Sequence, residues 1–395
     1  MAAPTIEISG TWHGDFAGVR EEFERNFSER GDVGAALVVY IDGEKVIDLW
    51  GGHRDAAGTK PWEADTLVNV YSTTKGWLAG AMNMLADRGE LEIEAPVTKY
   101  WPEFGQNGKG SVLVRHLLTH EAGLPAPSVD VPDEAVYDQD AMARALEQST
   151  LYWEPGTNQG YHAATFGWLN AEVLRRVTGM SAGAFVRKNI AGPLDADLFI
   201  GLPENEDART AEMLVPVASA DSGSRPAAAA LADPTSLTYR VFNNPPRPPK
   251  AANTRRWRGA EIPSSNGHAS AEGLARYYAA LSLGGKLGGV RLMSEEAVTN
   301  AARERVTSPD AILVMTTSRS LGFMLPVAEL GDPRGPAAFG HAGMGGSLGY
   351  ADPEYRMGFG YVMNQMGPVV DLRSRSLSKA LYKALYKALG TRSRS

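Results

Sequence analysis

Two apolar, β-branched runs near the amino terminus predict a pair of antiparallel strands. Residues 35–41 and 45–50 are rich in Val, Ile, Leu and aromatic side chains, and Asp42 and Gly43 lie between them. Because Asp-Gly suits the left-handed backbone of a two-residue turn, the two runs are predicted to form a hairpin. Ahead of this hairpin, apolar residues at helical spacing among charges predict an amphipathic helix over residues 16–27.

A second helical pattern follows the sequence VYSTTKG at residues 70–76. Its apolar stripe ends at Gly89, which is a typical helix stop. From about residue 95 to 260, helical segments alternate with stretches rich in proline, glycine and alanine. Two of these stretches, RPAAAALADPTS and NNPPRPPKAAN, are predicted to be long surface loops.

The carboxyl-terminal part returns to short strands and ends in a helix. AAFGHAGMGG, GSLGYADPE and RMGFGYVMNQ are predicted to be strands joined by tight turns. The tail SKALYKALYKALG carries leucine at four-residue intervals, at Leu377, Leu381, Leu385 and Leu389. This spacing predicts an amphipathic helix, which we expect to pack on the sheet; a helix lying on a lipid surface is the alternative.

Together these patterns predict an α+β fold. One antiparallel sheet is built from both chain ends and flanked by helices, with a mostly helical segment inserted between them. The predicted domains are an α/β domain of residues 1–95 and 262–395 and an inserted, loop-rich helical domain of residues 96–261.

Composition narrows the possible functions. Hydrophobic residues make up 43% of the 395 positions, and 39 basic against 46 acidic residues give a net charge of −7. This mild acidity, without a long basic run, argues against nucleic acid as a partner. The absence of cysteine excludes disulfides, thiolate nucleophiles and zinc–thiolate sites. No apolar run reaches membrane-spanning length and the start MAAPTIEISGTW lacks a signal-peptide pattern, so a cytoplasmic protein is expected.

Two serines lie in patterns typical of a catalytic nucleophile. Ser347 lies in Gly-Gly-Ser-Leu-Gly, which matches G-x-S-x-G, but that motif requires a strand-to-helix elbow and a later histidine. The residues after Ser347 read as strand, turn and strand, and the last histidine is His341. Ser347 is therefore predicted to be a strand residue near a site, with its glycines permitting close strand approach.

Ser72 has the more suitable context. It lies where an extended segment passes into a helix, beside free backbone N–H groups that could receive an oxyanion. Lys75 is three residues later, on the same helix face, where a partly buried amine could take the serine proton or stabilise a phenolate. The alternative is an ordinary helix cap with an exposed lysine.

Two further segments supply the partners that S-x-x-K hydrolases place beside their serine. Tyr161 follows a Pro-Gly turn and precedes a helix, and His341 lies in a glycine-rich strand. Each residue alone is more typical of a structural position, in a core boundary or at a strand end. His116 and His120 are four residues apart, but no third ligand is evident, so no metal site and no cofactor are predicted.

Taken together, the motifs resemble the class C β-lactamase and D-Ala-D-Ala-peptidase superfamily, in particular its esterase branch, the family VIII carboxylesterases. The matching segments run in the family's order over roughly residues 35–365: VYSTTKG, PVTKYWPEF, VRHLLTHEAGLPAP, EPGTNQGYHAATFGWL, NGHASAEGLARYYAAL and FGHAGMGGSLGYADPEYRMGFGYVMN. The unused G-x-S-x-G beside the third motif is also similar to that branch. The resemblance implies a serine β-lactamase-like fold and hydrolysis of small-molecule carboxylic esters of small to medium acyl chain.

The resemblance also implies catalytic roles. Ser72 would form the acyl-enzyme, and Lys75 and Tyr161 would share the general-base and general-acid work. The backbone N–H groups of Ser72 and Met344 would form the oxyanion hole.

The implied substrate-binding residues include departures from the family pattern. His341, Ala342 and Gly343 take the place of the family's Lys-Thr-Gly, and the second motif, Tyr-x-Asn in the β-lactamases, here ends in Ala163. Both departures favour a neutral ester over a penicillin. Aromatic residues of the middle segment are candidates to line the acyl pocket: Tyr152, Trp153 and Trp257.

Other functions use the same scaffold. A β-lactamase or a D-amino-acid amidase or peptidase would cleave amide bonds, and an acyltransferase would pass the acyl group to another acceptor. A binding protein would keep the scaffold without the chemistry, which the joint presence of Ser72, Lys75 and Tyr161 argues against. No oligomeric state is predicted.

Overall fold

A computed structural model describes residues 6–215, 225–246, 249–368 and 371–392. Within these ranges, the α-helices are α1 (Ala17–Arg30), α2 (Lys75–Asp87), α3 (Val114–Leu118), α4 (Gln139–Gln148), α5 (Thr165–Thr178), α6 (Ala182–Val186), α7 (Gly192–Leu194), α8 (Arg225–Ala232), α9 (Leu237–Asn243), α10 (Arg255–Gly259), α11 (Ala271–Ser282), α12 (Glu295–Ala302) and α13 (Leu372–Arg392). The strands are β1 (Ile8–Trp12), β2 (Gly34–Ile41), β3 (Glu44–Gly52), β4 (Val68–Asn69), β5 (Leu198–Phe199), β6 (His268–Ala269), β7 (Lys286–Leu287), β8 (Val290–Arg291), β9 (Val306–Asp310), β10 (Met315–Arg319), β11 (Met324–Leu325), β12 (Phe339–Ala342), β13 (Leu348–Asp352) and β14 (Met357–Met363).

The main sheet joins the two ends of the chain. Its nine strands run in the order β1-β3-β2-β14-β13-β12-β11-β10-β9, with every pair antiparallel. The central pairing is between β2 and β14, in which Val38 lies opposite Gly360. This confirms the predicted α+β fold with an antiparallel sheet built from both termini. The division into two domains at residues 95 and 262 stays a prediction.

Helices cover both faces of this sheet. Successive strand residues point to opposite faces. At Gly349 an added Cβ would meet the ring of Tyr278 in α11, whereas the Oη of the next residue, Tyr350, donates to Ser378 Oγ in α13. The tail helix therefore packs on the sheet, opposite α11, as predicted. Its leucines 377, 381 and 385 are buried, and the side chain of Leu389 lies outside the described residues.

Turn chemistry decides one local prediction, and helix propensity decides another. Asp42 and Gly43 take positive φ angles of 55° and 83° between β2 and β3, so the predicted hairpin is confirmed. The prediction of a surface loop over RPAAAALADPTS was wrong, because the segment contains α8. A run of four alanines has the highest intrinsic helix propensity, and a proline in the first turn does not oppose it.

The second predicted loop, NNPPRPPKAAN, is only partly described. Its first residue, Asn243, ends α9, and residues 249–253 form a 3₁₀ turn. Residues 247–248 lie outside the described ranges.

Candidate active site

The segment VYSTTKG forms a strained turn that leads into α2. A 3₁₀ turn over Tyr71–Thr74 precedes the helix, and Tyr71 adopts a φ of 44°, which is unfavourable for a bulky side chain. Every residue from Tyr71 to Leu85 is buried except Ser72, which is partly exposed. The turn thus presents one hydroxyl from an otherwise closed helix.

Lys75 is buried directly behind this hydroxyl. Its side chain is 0% exposed, and its Nζ lies 2.9 Å from Ser72 Oγ. The same Nζ donates to the carbonyl oxygens of Ala163 at 2.8 Å and Ser264 at 3.0 Å. These contacts fix the amine toward the serine, so the alternative of an exposed lysine beside a helix cap is wrong. Val70 is the N-cap of the 3₁₀ turn and Thr74 is the N-cap of α2, so Ser72 caps neither element.

Tyr161 reaches the same point from a second segment. It is 7% exposed, and Lys75 Nζ stands 4.9 Å from the centroid of its ring. The ring centroid of His341, from β12, is 6.2 Å away, and that of His120 is 5.1 Å away. The structure therefore brings together the three segments that the sequence singled out.

The histidines around Tyr161 are neutral. Burial lowers the pKa of His341 and His120 well below the usual value of 6.5, and the charge of Lys75 lowers both further. Burial also lowers the pKa of His162 to about 4. His341 donates its Nδ1–H to the Ala342 carbonyl oxygen at 2.7 Å. His341 therefore adds no positive charge at the position where the resemblance places a lysine.

The strand residues after His341 pack tightly on the nucleophile turn. A Cβ on Gly343 would lie 2.2 Å from the Val70 carbonyl oxygen and 2.9 Å from Thr73 Oγ1, so only glycine permits this approach. Ala342 and Met344 are exposed beside the turn. Among the described hydrogen bonds, none uses the N–H of Ser72 or of Met344 as its donor. Both groups are available to an oxyanion.

The turn after Met344 is held from the sheet's far side. Arg373, at the start of α13, donates from Nη2 to the Gly345 carbonyl oxygen at 2.6 Å. The same guanidinium pairs with Asp32 and Asp371, and all three side chains are buried or nearly so. The tail helix therefore fixes the backbone that carries the Met344 N–H.

Ser347 has a structural role next to the nucleophile turn. Its Oγ donates to the Val70 carbonyl oxygen at 2.9 Å and lies 3.1 Å from Thr73 Oγ1. It is 1% exposed and precedes β13, which confirms the predicted strand, turn and strand around it. The G-x-S-x-G pattern here forms no elbow.

Ser347→Ala is expected to keep ester hydrolysis within about 10-fold of wild type, while lowering the free energy of unfolding by about 1–2 kcal/mol for the lost hydrogen bonds. Steady-state kinetics and a thermal melt on the same sample measure the two effects. Loss of all turnover in a folded Ser347→Ala protein would contradict the structural role.

The aromatic residues expected in the acyl pocket have different surroundings. Tyr152 is partly buried, with Oη donating to the Pro127 carbonyl oxygen at 3.3 Å, and burial raises its pKa. Trp153 packs against Gly160, and the ring centroids of Trp153 and His162 are 6.1 Å apart. The indole is therefore close to the backbone of Tyr161, which lies between these two residues. Both stay candidates for the pocket.

Trp257 does not suit the predicted pocket role. It is 2% exposed, belongs to the main core and donates from Nε1 to Asn69 Oδ1 at 2.8 Å. Because this bond ties the indole to β4, just before the nucleophile turn, Trp257 supports the turn from inside. We therefore correct the expectation that it lines the pocket.

A separate apolar cluster surrounds Tyr161. It combines residues from the loop after α3, from the loop before α5, from α9 and from the turn after β9. The buried members are Ala126, Tyr161, Ala163, Val241 and Ile312, with Leu237, Phe242 and Leu313 packed against them. The last three are partly exposed, so apolar surface faces solvent beside the tyrosine.

Several site features lie beyond the sequence patterns. The Ala163 and Ser264 carbonyls that hold Lys75 are backbone groups, which no residue identity reveals. Asp310 and Arg319, on β9 and β10, contact Tyr161 but match no motif. Only the fold, which brings the β9–β10 hairpin against residue 161, identifies them.

The described residues contain neither a metal-binding cluster nor a membrane-spanning helix. In those ranges, no group of three or more His, Asp or Glu side chains is arranged to hold a metal ion. No helix in the same ranges is long and apolar enough to cross a membrane.

An antiparallel sheet beside an S-x-x-K helix, faced by a tyrosine segment and a glycine-rich strand, defines a serine hydrolase scaffold of the β-lactamase type. The chain matches the family described as Beta-lactamase over residues 23–383. It therefore belongs to the β-lactamase family.

Individual relatives agree with this assignment. The chain is 38% identical over 360 residues to the esterase/beta-lactamase LipL of Mycobacterium tuberculosis, covering 89% of this chain and 81% of that protein. A solved family VIII carboxylesterase superposes with a TM-score of 0.87 at 40% identity, covering 96% of this chain and 100% of that one. EstA of Arthrobacter nitroguajacolicus Rue61a superposes with a TM-score of 0.85 at 33% identity, covering 96% of this chain and 99% of that one. The predicted resemblance to the family VIII carboxylesterases is confirmed.

Proposed function

We propose that the protein is a serine esterase that hydrolyses carboxylic esters through an acyl-enzyme on Ser72. The observation that carries this proposal is the 2.9 Å contact between Ser72 Oγ and the fully buried Nζ of Lys75. A serine hydroxyl becomes an effective nucleophile when a positioned base removes its proton. The partly exposed hydroxyl and the enclosed amine meet that requirement.

The mechanism follows from the positions of the groups. The Tyr161–Lys75 pair takes the Ser72 proton as Oγ attacks the ester carbonyl, and the carbonyl oxygen is received by the N–H groups of Ser72 and Met344. When the C–O bond breaks, the same pair returns the proton to the leaving alcohol. Water then adds to the acyl-enzyme by the reverse proton path and releases the acid.

The electrostatics of the site favour a neutral substrate. His341 is uncharged, so this position offers no cation to a substrate carboxylate. Ala163 directs its carbonyl oxygen to Lys75 and has no side-chain amide to bind an acylamino group. The relatives named as carboxylesterase and EstA support the same choice.

The apolar cluster beside Tyr161 is suited to an acyl chain. Leu237, Phe242 and Leu313 are partly exposed there, and burial of methylene groups against them would favour small to medium chains. The proposed partner is thus a small-molecule ester. A cytoplasmic location stays a prediction.

A panel of p-nitrophenyl esters from acetate to octanoate, run beside the β-lactam nitrocefin, tests the substrate class. We expect kcat/KM for the best ester to exceed that for nitrocefin by about 100-fold. The site offers no cation at His341 to the carboxylate of a β-lactam, and each hydrogen bond to a charged group is worth about 1.5–3 kcal/mol. Faster turnover of nitrocefin would contradict the proposal. An added alcohol acceptor shows whether the acyl group goes to water or is transferred.

A further inference from the structure

A fully buried ion pair between Arg319 and Asp310 lies against Tyr161, and neither residue takes part in the proton transfers proposed above. Arg319 is 1% exposed and Asp310 is 2% exposed. Arg319 donates from Nη2 to Asp310 Oδ2 at 2.6 Å and from Nε to Gln159 Oε1 at 3.1 Å. The guanidinium is therefore fixed by two side chains, from β9 and from the segment before Tyr161.

The pair contacts Tyr161 at both ends. Asp310 Oδ1 accepts the backbone N–H of Tyr161 at 3.0 Å. The Cζ of Arg319 stands 5.3 Å from the centroid of the Tyr161 ring. The carboxylate thus lies at the backbone end of the tyrosine and the positive charge lies at the ring.

The hydrogen bonding of the guanidinium is incomplete. Among the described residues, the buried Nη1 of Arg319 has no hydrogen-bond partner. A buried ion pair is weak evidence for stability, because well-packed apolar residues often serve as well or better. A buried cation with an unused donor next to a reactive side chain is instead typical of a functional site.

Among the described contacts of Tyr161, Lys75 supplies a second cation. Lys75 faces its ring from α2, Asp310 binds its backbone from the end of β9, and His120 and His341 lie against the ring. Both histidines are neutral, because burial lowers the pKa of each. Lys75 and Arg319 therefore both place positive charge over the ring.

We propose that Arg319 is a positioning residue that holds the Tyr161 ring and favours its phenolate form during attack by Ser72. A phenolate spreads its charge into the ring, so a cation over the ring attracts the anion more strongly than the neutral phenol. Arg319 forms and breaks no bond, and the proton still moves between Ser72 and the Tyr161–Lys75 pair. The inference rests on the proposed function, in which Tyr161 acts as a base.

The test removes both charges together. In Asp310→Asn/Arg319→Gln no unpaired buried charge remains, whereas Arg319→Lys keeps a cation as the matched control. The pH profile of kcat/KM on p-nitrophenyl butyrate is measured for each variant, with active sites counted by a phosphonate inhibitor and folding checked by a thermal melt.

In Asp310→Asn/Arg319→Gln, which we call the neutral pair, we expect the acid limb of the pH profile to move to higher pH by about one unit. The reason is that a cation within about 4–6 Å lowers the pKa of an acid by one unit or more, and this variant lacks the cation. At pH values below the wild-type limb, activity falls by about 10-fold, and it recovers above the shifted limb. Arg319→Lys is expected to keep the wild-type limb. Should the neutral pair not fold, Arg319→Gln alone, in which Asp310 keeps three backbone N–H donors, is expected to show a larger upward shift.

Three results would overturn the inference. The first is an unshifted acid limb in the folded neutral pair. The second is a loss of kcat/KM in the neutral pair that is equal at every pH. The third is an acid limb in Arg319→Lys that shifts as far as the limb of the neutral pair. If Tyr161→Phe is inactive while the acid limb of the neutral pair stays at the wild-type pH, only the proposed role of Arg319 is wrong. If Tyr161→Phe keeps full activity, the proposed role of Tyr161 fails as well.

Discussion

Replacing Ser72 with alanine is expected to lower kcat for p-nitrophenyl butyrate by about 10⁵–10⁶-fold. Removing the nucleophile of a serine hydrolase costs on the order of 10⁶ in kcat, since the remaining groups bind and polarise the carbonyl without forming an acyl-enzyme. The oxyanion N–H groups stay in place, so the residual rate is that of binding and polarisation alone.

The fold should tolerate Ser72→Ala. Ser72 is partly exposed, and its Oγ accepts one hydrogen bond from Lys75, which keeps its two carbonyl acceptors in the variant. The melting temperature is therefore expected to stay within a few degrees of wild type.

The Ser72 result is read together with covalent labelling. A phosphonate inhibitor should add one mass increment to wild type and to Ser347→Ala, and none to Ser72→Ala. Ser347 is the matched control, because it is a buried serine that contacts the same turn through Val70 and Thr73. Labelling of Ser72→Ala, or an unchanged rate, would sink the assignment of the nucleophile.

Replacing Lys75 with methionine is expected to lower kcat/KM by about 10³-fold, within the range of about 10²–10⁴ that general acid–base groups contribute. Methionine is close to lysine in length and is tolerated in cores, so the change removes the amine while keeping most of the packing. The Ala163 and Ser264 carbonyls lose a donor, which is expected to lower the free energy of unfolding by about 1–3 kcal/mol.

Lys109 provides a control for the structural part of that effect. It is also 0% exposed and donates from Nζ to three carbonyls, those of Gln106, Glu147 and Ser149. Burial lowers its pKa to about 8. Lys109→Met removes a similar set of hydrogen bonds away from the serine, so a loss of stability without a loss of kcat/KM is expected.

Comparison of the two lysine variants separates base catalysis from folding. Stability is measured by denaturant unfolding, and activity is expressed per labelled active site in each sample. If Lys75→Met and Lys109→Met lose activity equally, the role of Lys75 is structural and the proposed proton transfer is wrong.

Local patterns determined much of the fold before any contact was known. The Asp42-Gly43 hairpin, the strands after residue 335 and the tail helix each follow from side chains close together in the chain. Turn chemistry and hydrophobic period act over a few residues, so the printed sequence contains them. The prediction over RPAAAALADPTS was wrong because its four consecutive alanines favour a helix more strongly than its two prolines oppose one.

The sequence also singled out the nucleophile segment, because Ser72 and Lys75 are only three residues apart on one turn. Their 2.9 Å contact follows from helix geometry once the turn forms. Tyr161 and His341 were selected by the order of motifs rather than by spacing. That order indicated which segments meet, and the ring distances of 4.9 and 6.2 Å give their arrangement.

Only the tertiary structure decided what surrounds these residues. Lys75 is held by carbonyls 88 and 189 positions away, and Arg319 reaches the ring of Tyr161 from a strand hairpin with no motif of its own. The same packing buries Trp257 against Asn69 instead of exposing it to a substrate. A one-dimensional pattern specifies which face of an element is apolar, but not which distant backbone oxygen or charge lies against it. Those contacts are set by how the sheet and helices pack, which depends on the whole chain at once.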